Sequence, residues 1–484
     1  MFDVVVVGAG SAGCALAGRL TERPGLRVLL LEAGPADLVA EVRDAASLAA
    51  TRIGHPRNWA HPTTLRSGTH QPVPRGRGLG GSSAINGANW VRATPADADG
   101  WGVPDWTWDE LLPHYIASES DELGGPMHGS AGPVPVRRPA GELLHPASGR
   151  FLDAATRLGH PAEPDKNAGA APGAGLVPAN AVDGVRVNAA TAYLGGDRPG
   201  LTVRSAALVA RVLLDGDRAI GVEMADGSTV EAGEVVLAAG AVGTPHLLLR
   251  SGVGPADDLR AAGIHVRHDL PGVGQGWSDH PVVFLPFADA DPPAHPHAPG
   301  SQAALNLDAG ADPAGDVEVL LFVRPFVEGG DLHLMCALQQ PDSRGSITLD
   351  AAGRPRIEYR YLRTEHDRRR LRHAIRTAAE LLRAGVGART APGGDVLGND
   401  RTLDGWIAAH LTTSVHLCGS AAMGPVVDAE LRVRGMQGLR VADTSILPTV
   451  PRRGPSATAV AIGEKAAHLV GALRDPSAAP TLAR

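Results

Sequence analysis

The sequence contains few aromatic residues and very few cysteines. Aromatic side chains make up 4% of its 484 residues, so a hydrophobic core has to be built mainly from alanine, valine and leucine. The three cysteines, Cys14, Cys336 and Cys418, lie far apart in the chain and form no C-x-x-C pair. This spacing argues against a disulfide framework and against a zinc site, and we expect neither.

Long apolar runs and blocks of positive charge are also missing. No run reaches the roughly 18 apolar residues of a transmembrane helix, and the first predicted strand, FDVVVVG, leaves no room for a secretory signal before it. The formal net charge is −7, and no block of lysine and arginine has the size of a nucleic-acid-binding surface. We therefore expect a cytoplasmic protein without a nucleic-acid partner, and leave peripheral attachment to a membrane open.

Glycine, in contrast, is abundant. The 61 glycines and 39 prolines indicate many turns and close backbone contacts. A chain of 484 residues exceeds what one hydrophobic core usually organises, so we expect two domains or one elaborated domain. Two of the glycine clusters stand in contexts that predict a function.

The first glycine cluster follows a predicted strand at the start of the chain. Val4–Val7 is a continuous β-branched run, typical of a strand buried on both faces of a parallel sheet. Gly8, Gly10 and Gly13 follow in G-x-G-x-x-G spacing, then a predicted helix and a second strand that ends at Glu32. Here Gly8 makes the tight turn, Gly10 admits a pyrophosphate and Gly13 allows close helix packing, while Glu32 can bind ribose hydroxyls. The segment predicts a bound dinucleotide, either NAD or FAD.

The second cluster is GRGLGGSSAINGANW, residues 76–90. Its glycines leave the backbone bare, while Ser82, Ser83 and Asn86 offer hydrogen-bonding groups. The loop can therefore lie against the phosphates or the ring edge of a cofactor. By itself, such a segment is also compatible with a glycine-rich surface loop.

Together, these segments resemble the glucose–methanol–choline (GMC) family of FAD-dependent oxidoreductases. Residues 76–86, GRGLGGSSAIN, fit the first family signature, and residues 240–254, GAVGTPHLLLRSGVG, fit the second. The C-terminal stretch from His416 through LRVADTSILP to AIGEKAAHLV fits the catalytic and flavin-closing region. The resemblance covers essentially the whole chain.

The resemblance implies that FAD is bound, and bound noncovalently. Some family members attach the flavin through a histidine just before the asparagine of the first signature, and Ile85 occupies that position here. Val209 matches a residue whose backbone meets the adenine. The positions that match the family's cofactor contacts are Gly8, Gly10, Gly13, Glu32, Gly80, Gly81, Ser82, Asn86, Val209 and Asp443.

His416, in TTSVHLCGSAAMG, is the predicted catalytic residue. A single histidine in an apolar stretch is more often structural, but its spacing from Met423 and Gly424 matches the family histidine that lies over the flavin. Alcohol oxidation needs such a group, because the hydroxyl proton has to leave as hydride leaves the carbon, and an imidazole can accept that proton. The resemblance therefore implies that His416 is the general base.

The family's second catalytic position departs from the pattern. It usually carries a histidine or an asparagine, and counting back from Gly463 and Glu464 places Ser456 there. A serine hydroxyl can donate or accept a hydrogen bond but cannot act as a base at neutral pH. We predict that Ser456 orients the substrate oxygen and leaves the proton to His416. The alternative is that Ser456 only fills space beside the flavin.

The predicted fold is α/β (α+β overall), with a Rossmann-type FAD-binding domain and a substrate domain built on an antiparallel sheet backed by helices. We expect the discontinuous FAD-binding domain to comprise residues 1–130, 181–290 and 405–484, and the substrate-binding domain to comprise residues 131–180 and 291–404.

Four alternating runs predict the antiparallel sheet: DVEVLLFVRPFV, DLHLMCALQQ, GSITLD and RIEYRYL. The arginine-rich segment HDRRRLRHAIRTAAELLRAG predicts a helix behind it. GEVVLAAGA, residues 233–241, is predicted to return to the nucleotide-binding sheet, and TAVAIGEKAAHLVGAL, residues 458–473, to form a closing helix.

The predicted activity is FAD-dependent oxidation of a small-molecule alcohol to an aldehyde or ketone, with hydride passing to flavin N5. The electron acceptor is left open among a quinone, a carrier protein and O2, and a dehydrogenase is favoured over an oxidase. HLCGSAAMG and PRRGPSATA resemble a short bacterial subgroup linked to mycofactocin, so reduced mycofactocin is an alternative substrate. A non-redox lyase of the hydroxynitrile lyase type and a protein that only binds FAD are further alternatives.

Overall fold

The computed structural model describes residues 2–471, and residues 1 and 472–484 lie outside the described part. It confirms the predicted fold class, with a parallel nucleotide-binding sheet and an antiparallel sheet backed by helices. In the described part, no helix combines the length and the apolar character needed to cross a membrane. The helices are Ser11–Leu20, Ala40–Arg43, Pro95–Gly100, Trp108–Ser118, Pro146–Arg157, Ala189–Tyr193, Gly240–Arg250, Ala256–Ala261, Glu365–Leu381, Gly394–Leu397, Asp400–His410 and Ser456–Gly471.

The sheet that carries the first glycine cluster is here called the nucleotide sheet. Neighbouring side chains such as Val5 and Val6 point to opposite faces and are both fully buried, so the sheet is covered on both sides. Its parallel strands are, in spatial order, Leu201–Arg204, Val28–Leu31, Phe2–Val7, Thr229–Leu237 and Leu439–Val441, and an antiparallel extension beside Thr229–Leu237 consists of Arg218–Met224 and Val209–Asp215.

One predicted strand of this sheet is displaced towards the N-terminus, since the strand spans Thr229–Leu237. The run 233–241 was expected to be extended throughout, whereas the strand ends at Leu237 and a helix starts at Gly240. Gly240 has a φ of +79°, a left-handed conformation that ends an extended backbone.

The first helix, Ser11–Leu20, packs on the nucleotide sheet, and the last helix, Ser456–Gly471, packs on the first helix. Their contact depends on small residues. A Cβ on Gly463 would overlap the carbonyl oxygen of Ala12 and lie 2.8 Å from the Cβ of Ala15. The last helix starts two residues before the predicted range 458–473, and residues 472 and 473 of that range lie outside the described residues.

The antiparallel sheet is here called the roof sheet. Its rear face packs on the helix Glu365–Leu381, where Leu371 and Ile375 are fully buried, as the arginine-rich amphipathic segment predicts. The strands are, in spatial order, Ala388–Arg389, Pro281–Ala288, Leu332–Leu338, Val317–Phe322, Ser301–Leu307 and Ala174–Leu176, with Thr412–Thr413 also paired to Pro281–Ala288.

Two of the four runs predicted for the roof sheet belong elsewhere. GSITL and PRIE form strands, but they lie in a separate five-stranded sheet. There Ile347 and Ile357 are buried, and Trp277 packs edge-on against Tyr359. Alternation predicts a strand but not its neighbours, which explains the wrong assignment. In order, this sheet contains Gln275–Trp277, Gly345–Leu349, Pro355–Glu358, His61–Arg66 and Thr69–Val73.

The domain ranges stay a prediction. Two strands of the roof sheet lie outside the ranges predicted for the substrate-binding domain. Pro281–Ala288 and Thr412–Thr413 fall in ranges assigned to the FAD-binding domain, yet both belong to the roof sheet. Short two-stranded sheets complete the strand set: Val253–Gly254 with His268–Asp269, Glu119–Asp121 with Val134–Val136, and Ala181–Val182 with Val185–Arg186.

Substitution of Gly463 tests the contact between the first and last helices. In Gly463→Ala, the added methyl group has to push the two helices apart, and overpacking of this kind costs on the order of 1–3 kcal/mol. We expect a lower Tm in thermal unfolding. Gly405→Ala is the control, because Gly405 lies in the exposed helix Asp400–His410 with open space around it. This control should keep or raise Tm, since alanine favours a helix over glycine. Equal Tm values for both variants would contradict the packing account.

Candidate active site

The first glycine cluster forms an open turn at the carboxyl end of the strand Phe2–Val7. Gly8 has a φ of +106°, and Gly10 precedes the first helix without a side-chain cap for the N–H groups of the first turn. A Cβ on Gly10 would meet only the carbonyl oxygen of Ala238, at 3.9 Å, so this side of the turn is open. Uncapped N–H groups at the positive end of a helix suit a pyrophosphate.

Glu32 connects this turn to the second glycine cluster. Its buried carboxylate accepts backbone N–H groups from Ala9 at 3.0 Å, from Gly34 at 2.8 Å and from Gly78 at 2.8 Å. Burial raises the pKa of Glu32, while the three N–H donors favour its charged form. The side chain predicted to bind ribose therefore also holds the two glycine loops together.

The two loops touch backbone to backbone. A Cβ on Gly81 would lie 2.7 Å from the Cα of Gly10, and the N–H of Gly80 donates to a carbonyl of the first turn at 2.8 Å. Gly80 and Gly81 have φ values of +89° and +51°. Ser82 follows on the exposed side, and its hydroxyl oxygen accepts the N–H of Gly76 at 3.1 Å. These residues bring the two loops into direct backbone contact, and the open side of the turn at Gly10 fits the pyrophosphate of FAD.

Val209 lies close to Glu32, the residue that joins the two glycine loops. It begins the strand Val209–Asp215 and is buried. Two residues earlier, Ala207 donates its N–H to the carbonyl oxygen of Glu32 at 2.8 Å. The backbone around Val209 therefore runs beside the residue predicted to bind the ribose, which is compatible with its predicted place near the adenine.

The carboxylate of Asp443 has partners within the protein. It accepts the N–H of Gly240 at 2.9 Å, the hydroxyl of Thr244 at 2.5 Å and the N–H of Ser445 at 2.8 Å. Burial raises the pKa of Asp443, and these donors favour its charged form. Its side chain caps the helix Gly240–Arg250. Asp443, which the sequence predicts to contact the cofactor, therefore also has a structural role.

Asn86 and Ser456 lie side by side. Asn86 Nδ2 donates to Ser456 Oγ at 3.3 Å, and Arg186 Nη1 donates to Asn86 Oδ1 at 2.6 Å, which orients the amide. Among the described residues, no hydrogen bond joins Ser456 to His416. Ile85 is buried among apolar side chains and offers no nucleophile for covalent attachment of a flavin.

His416 follows a strained turn. Val415 has a φ of +60°, which is unusual for a β-branched residue. Its carbonyl accepts a hydrogen bond from Arg75, and its N–H donates to Thr413 Oγ1 at 2.8 Å. Asp279 Oδ1 accepts the N–H of His416 at 2.8 Å. These contacts hold a costly backbone conformation, as is common where a side chain must be placed accurately.

A second histidine contacts His416. The Nδ1 atoms of His280 and His416 are 3.0 Å apart, and the rings meet edge to face at an angle of 86°. Burial lowers the pKa of His416 to about 3, and the nearby charge of Arg75 acts in the same direction. Burial also places the pKa of His280 well below its usual range. Both imidazoles are therefore neutral at neutral pH, and a neutral imidazole keeps one lone pair for a proton.

Glycine leaves space beside the second ring nitrogen of His416. A Cβ on Gly454 would lie 3.3 Å from His416 Nε2, closer than most side chains approach one another. On the roof sheet, the front face opposite the helices is mainly apolar and reaches this turn, because Ser414 Oγ lies 3.8 Å from Met335 Sδ. The apolar cluster of that face consists of Val91, Val177, Val282, Ala304, Leu320, Met335 and Ala337.

The sequence analysis missed His280, Asp279, Arg75 and Arg186. Asp279 and His280 lie in the segment DLPGVGQGWSDHP, residues 269–281, for which the sequence predicted no role. His280 and His416 are 136 residues apart, and no local pattern links them. The sequence signal that could have indicated them is the adjacent pair Asp279 and His280 directly before the strand Pro281–Ala288.

Comparisons with known proteins agree with this geometry. Family models described as GMC oxidoreductase match residues 2–282 and 341–463. An uncharacterized GMC-type oxidoreductase of Rhodococcus erythropolis is 40% identical, covering 97% of this chain and 98% of its own. An oxygen-dependent choline dehydrogenase of Pseudomonas putida is 36% identical, covering 96% and 93%. The crystal structure of pyridoxine 4-oxidase from Mesorbium loti superposes with a TM-score of 0.90 at 32% identity, covering 97% and 99%.

Substitution of Glu32 tests the junction of the two glycine loops. Glu32→Gln replaces one acceptor oxygen by an NH2 group, which would face a backbone N–H, and an unsatisfied buried donor costs about 1–3 kcal/mol. We expect at least tenfold weaker FAD binding, measured by flavin fluorescence during dilution. Glu231→Gln, on an exposed strand position, is the matched control and should retain FAD like the wild type. Unchanged FAD binding in Glu32→Gln would contradict this role.

Proposed function

The chain belongs to the GMC oxidoreductase family, whose members bind FAD, and we propose that it oxidises an alcohol to an aldehyde or ketone with noncovalently bound FAD. The observation that carries the proposal is a neutral His416 whose Nε2 faces space beside Gly454. Gly10 leaves one side of the first turn open for the pyrophosphate, and a buried isoleucine stands where a covalent link would need a histidine.

The site divides the reaction between cofactor and protein. FAD, when bound, supplies the hydride acceptor at N5 of its ring system. His416 Nε2 accepts the hydroxyl proton, so that the alcohol loses one hydride and one proton and becomes a carbonyl compound. Ser456, held by Asn86, has a hydroxyl hydrogen free to orient the substrate oxygen.

The front face of the roof sheet favours an uncharged, apolar alcohol. Val282, Leu320 and Met335 contribute to its apolar cluster. The same face carries Glu318, two residues before Leu320 on the strand Val317–Phe322, and Asn306 Nδ2 donates to its carboxylate at 2.9 Å. The charges of Arg453 and Lys166 also act on Glu318, so this carboxylate is already paired within the protein. Phe326, 46% exposed, packs on Phe284 with ring centroids 5.0 Å apart, so aromatic surface continues from the cluster to the outside. The side chains of this face therefore suit the binding of aromatic or aliphatic alcohols better than the binding of choline.

For the electron acceptor, we propose a partner other than O2. The exposed Phe326 and Val327 offer an apolar surface at the approach to the roof cluster, where a quinone or carrier protein can make contact. The C-terminal segments HLCGSAAMG and PRRGPSATA make reduced mycofactocin a substrate to test beside simple alcohols. A cytoplasmic protein, with or without peripheral membrane attachment, is compatible with both.

Removal of the imidazole tests the general base. In His416→Ala, reduction of bound flavin by an apolar alcohol should slow by about 10²–10⁴ in anaerobic single turnover, because no side chain takes the proton. FAD content should stay near that of the wild type. His410→Ala, on an exposed helix end, is the control and should reduce at the wild-type rate. If His416→Ala reduces its flavin at the wild-type rate, His416 is not the base.

Reoxidation of the flavin tests the acceptor. The holoprotein is photoreduced without oxygen and then mixed with either oxygenated buffer or a water-soluble quinone. We expect the quinone to reoxidise the flavin faster than O2, with the O2 reaction lasting minutes. Complete reoxidation by O2 within seconds would identify an oxidase and refute the proposed acceptor class.

A further inference from the structure

The contact between His280 and His416 places two ring nitrogens face to face. Their Nδ1 atoms are 3.0 Å apart, with ring centroids separated by 5.1 Å. Two imidazole nitrogens can approach this closely only when one carries a hydrogen and the other offers its lone pair. The pair therefore has a defined donor and a defined acceptor.

One carboxylate holds both histidines in this position. Asp279 Oδ1 accepts the N–H of His280 at 2.7 Å and the N–H of His416 at 2.8 Å, and its Oδ2 accepts the hydroxyl of Thr413 at 2.9 Å. Arg75 is the cation that acts on His416. Because the two backbones share one acceptor, the rings have little freedom to separate.

The direction of the shared hydrogen bond follows from the task proposed for His416. The His280 ring is fully buried, and its Nε2 makes no hydrogen bond to any described residue. Its contact with His416 Nδ1 at 3.0 Å is therefore its side-chain hydrogen bond in the described part of the chain. A base at His416 Nε2 needs the ring hydrogen on His416 Nδ1, and His280 Nδ1 then has to accept it with its lone pair.

We propose that His280 is a positioning residue that fixes the tautomer of His416. His280 Nδ1 accepts the hydrogen of His416 Nδ1, so His416 Nε2 is the unprotonated nitrogen and faces the space beside Gly454. The opposite tautomer would put a hydrogen on His416 Nε2, and the base could not take the hydroxyl proton. During turnover the hydroxyl proton goes to Nε2, while the Nδ1 hydrogen keeps its bond to His280. This inference rests on the proposed function.

Two substitutions separate a tautomer role from simple core filling. His280→Leu keeps apolar bulk but removes the acceptor. His280→Asn places an amide oxygen close to the former Nδ1 position, where it can accept the same hydrogen. We expect His280→Leu to slow alcohol-driven flavin reduction at least about tenfold at saturating substrate, with little change in apparent substrate affinity, and His280→Asn to recover most of that loss. Equal rates in the two variants would overturn the proposal.

Nitrogen NMR of histidine-labelled holoprotein gives a readout besides activity. In the wild type, we expect His416 Nε2 to resonate as an unprotonated ring nitrogen and Nδ1 as a protonated one, assigned by comparison with His416→Ala. In His280→Leu, the population should shift towards a hydrogen on Nε2. A protonated Nε2 in the neutral wild-type ring would overturn the proposal even if His280→Leu did not fold.

The two proposals fail in distinguishable ways. If no alcohol reduces the wild-type flavin, the proposed function is wrong, whereas the NMR measurement still decides the tautomer. If alcohols reduce the wild-type flavin but His280→Leu is as fast as the wild type at equal FAD content, the role of His280 is wrong and the function stands.

Discussion

The contact between two glycine-rich backbones determines where everything else in this protein can lie. Gly81 approaches Gly10 so closely that no side chain fits between them, and the carboxylate of Glu32 joins both loops through their N–H groups. The loops can meet only at the carboxyl ends of the parallel strands, where the first helix also begins. The predicted cofactor site lies at this junction, and Asn86, at the end of the second loop, reaches Ser456 on the last helix.

A second carboxylate organises the chemistry. Asp279 holds the backbones of His280 and His416 at one point, although the two residues belong to distant parts of the chain. Burial lowers the pKa of both imidazoles, and the charge of Arg75 lowers that of His416 further, so both rings are kept neutral. A neutral ring has the lone pair that the proposed base needs.

Local features could be predicted from the sequence, whereas contacts between distant segments could not. Gly8, Gly10, Gly13 and Glu32 lie within one strand–turn–helix–strand unit, so their spacing alone predicts a nucleotide site. The base role proposed for His416 rests on the family resemblance, since one histidine carries no pattern. Two contacts depend on how whole sheets pack: GSITL and PRIE share a sheet with strands near residues 61–73, and His280 meets His416. The alternation of side chains along a strand gives no information about such packing.

We propose that this site removes a hydride and a proton from an apolar alcohol. The most direct measurement mixes the flavin-loaded wild-type protein anaerobically with aromatic and aliphatic alcohols, and with choline, while the absorbance of oxidised flavin is followed. We expect apolar alcohols to bleach the flavin, and to do so faster than choline at equal concentration. A flavin that dithionite bleaches but that no alcohol reduces would contradict it.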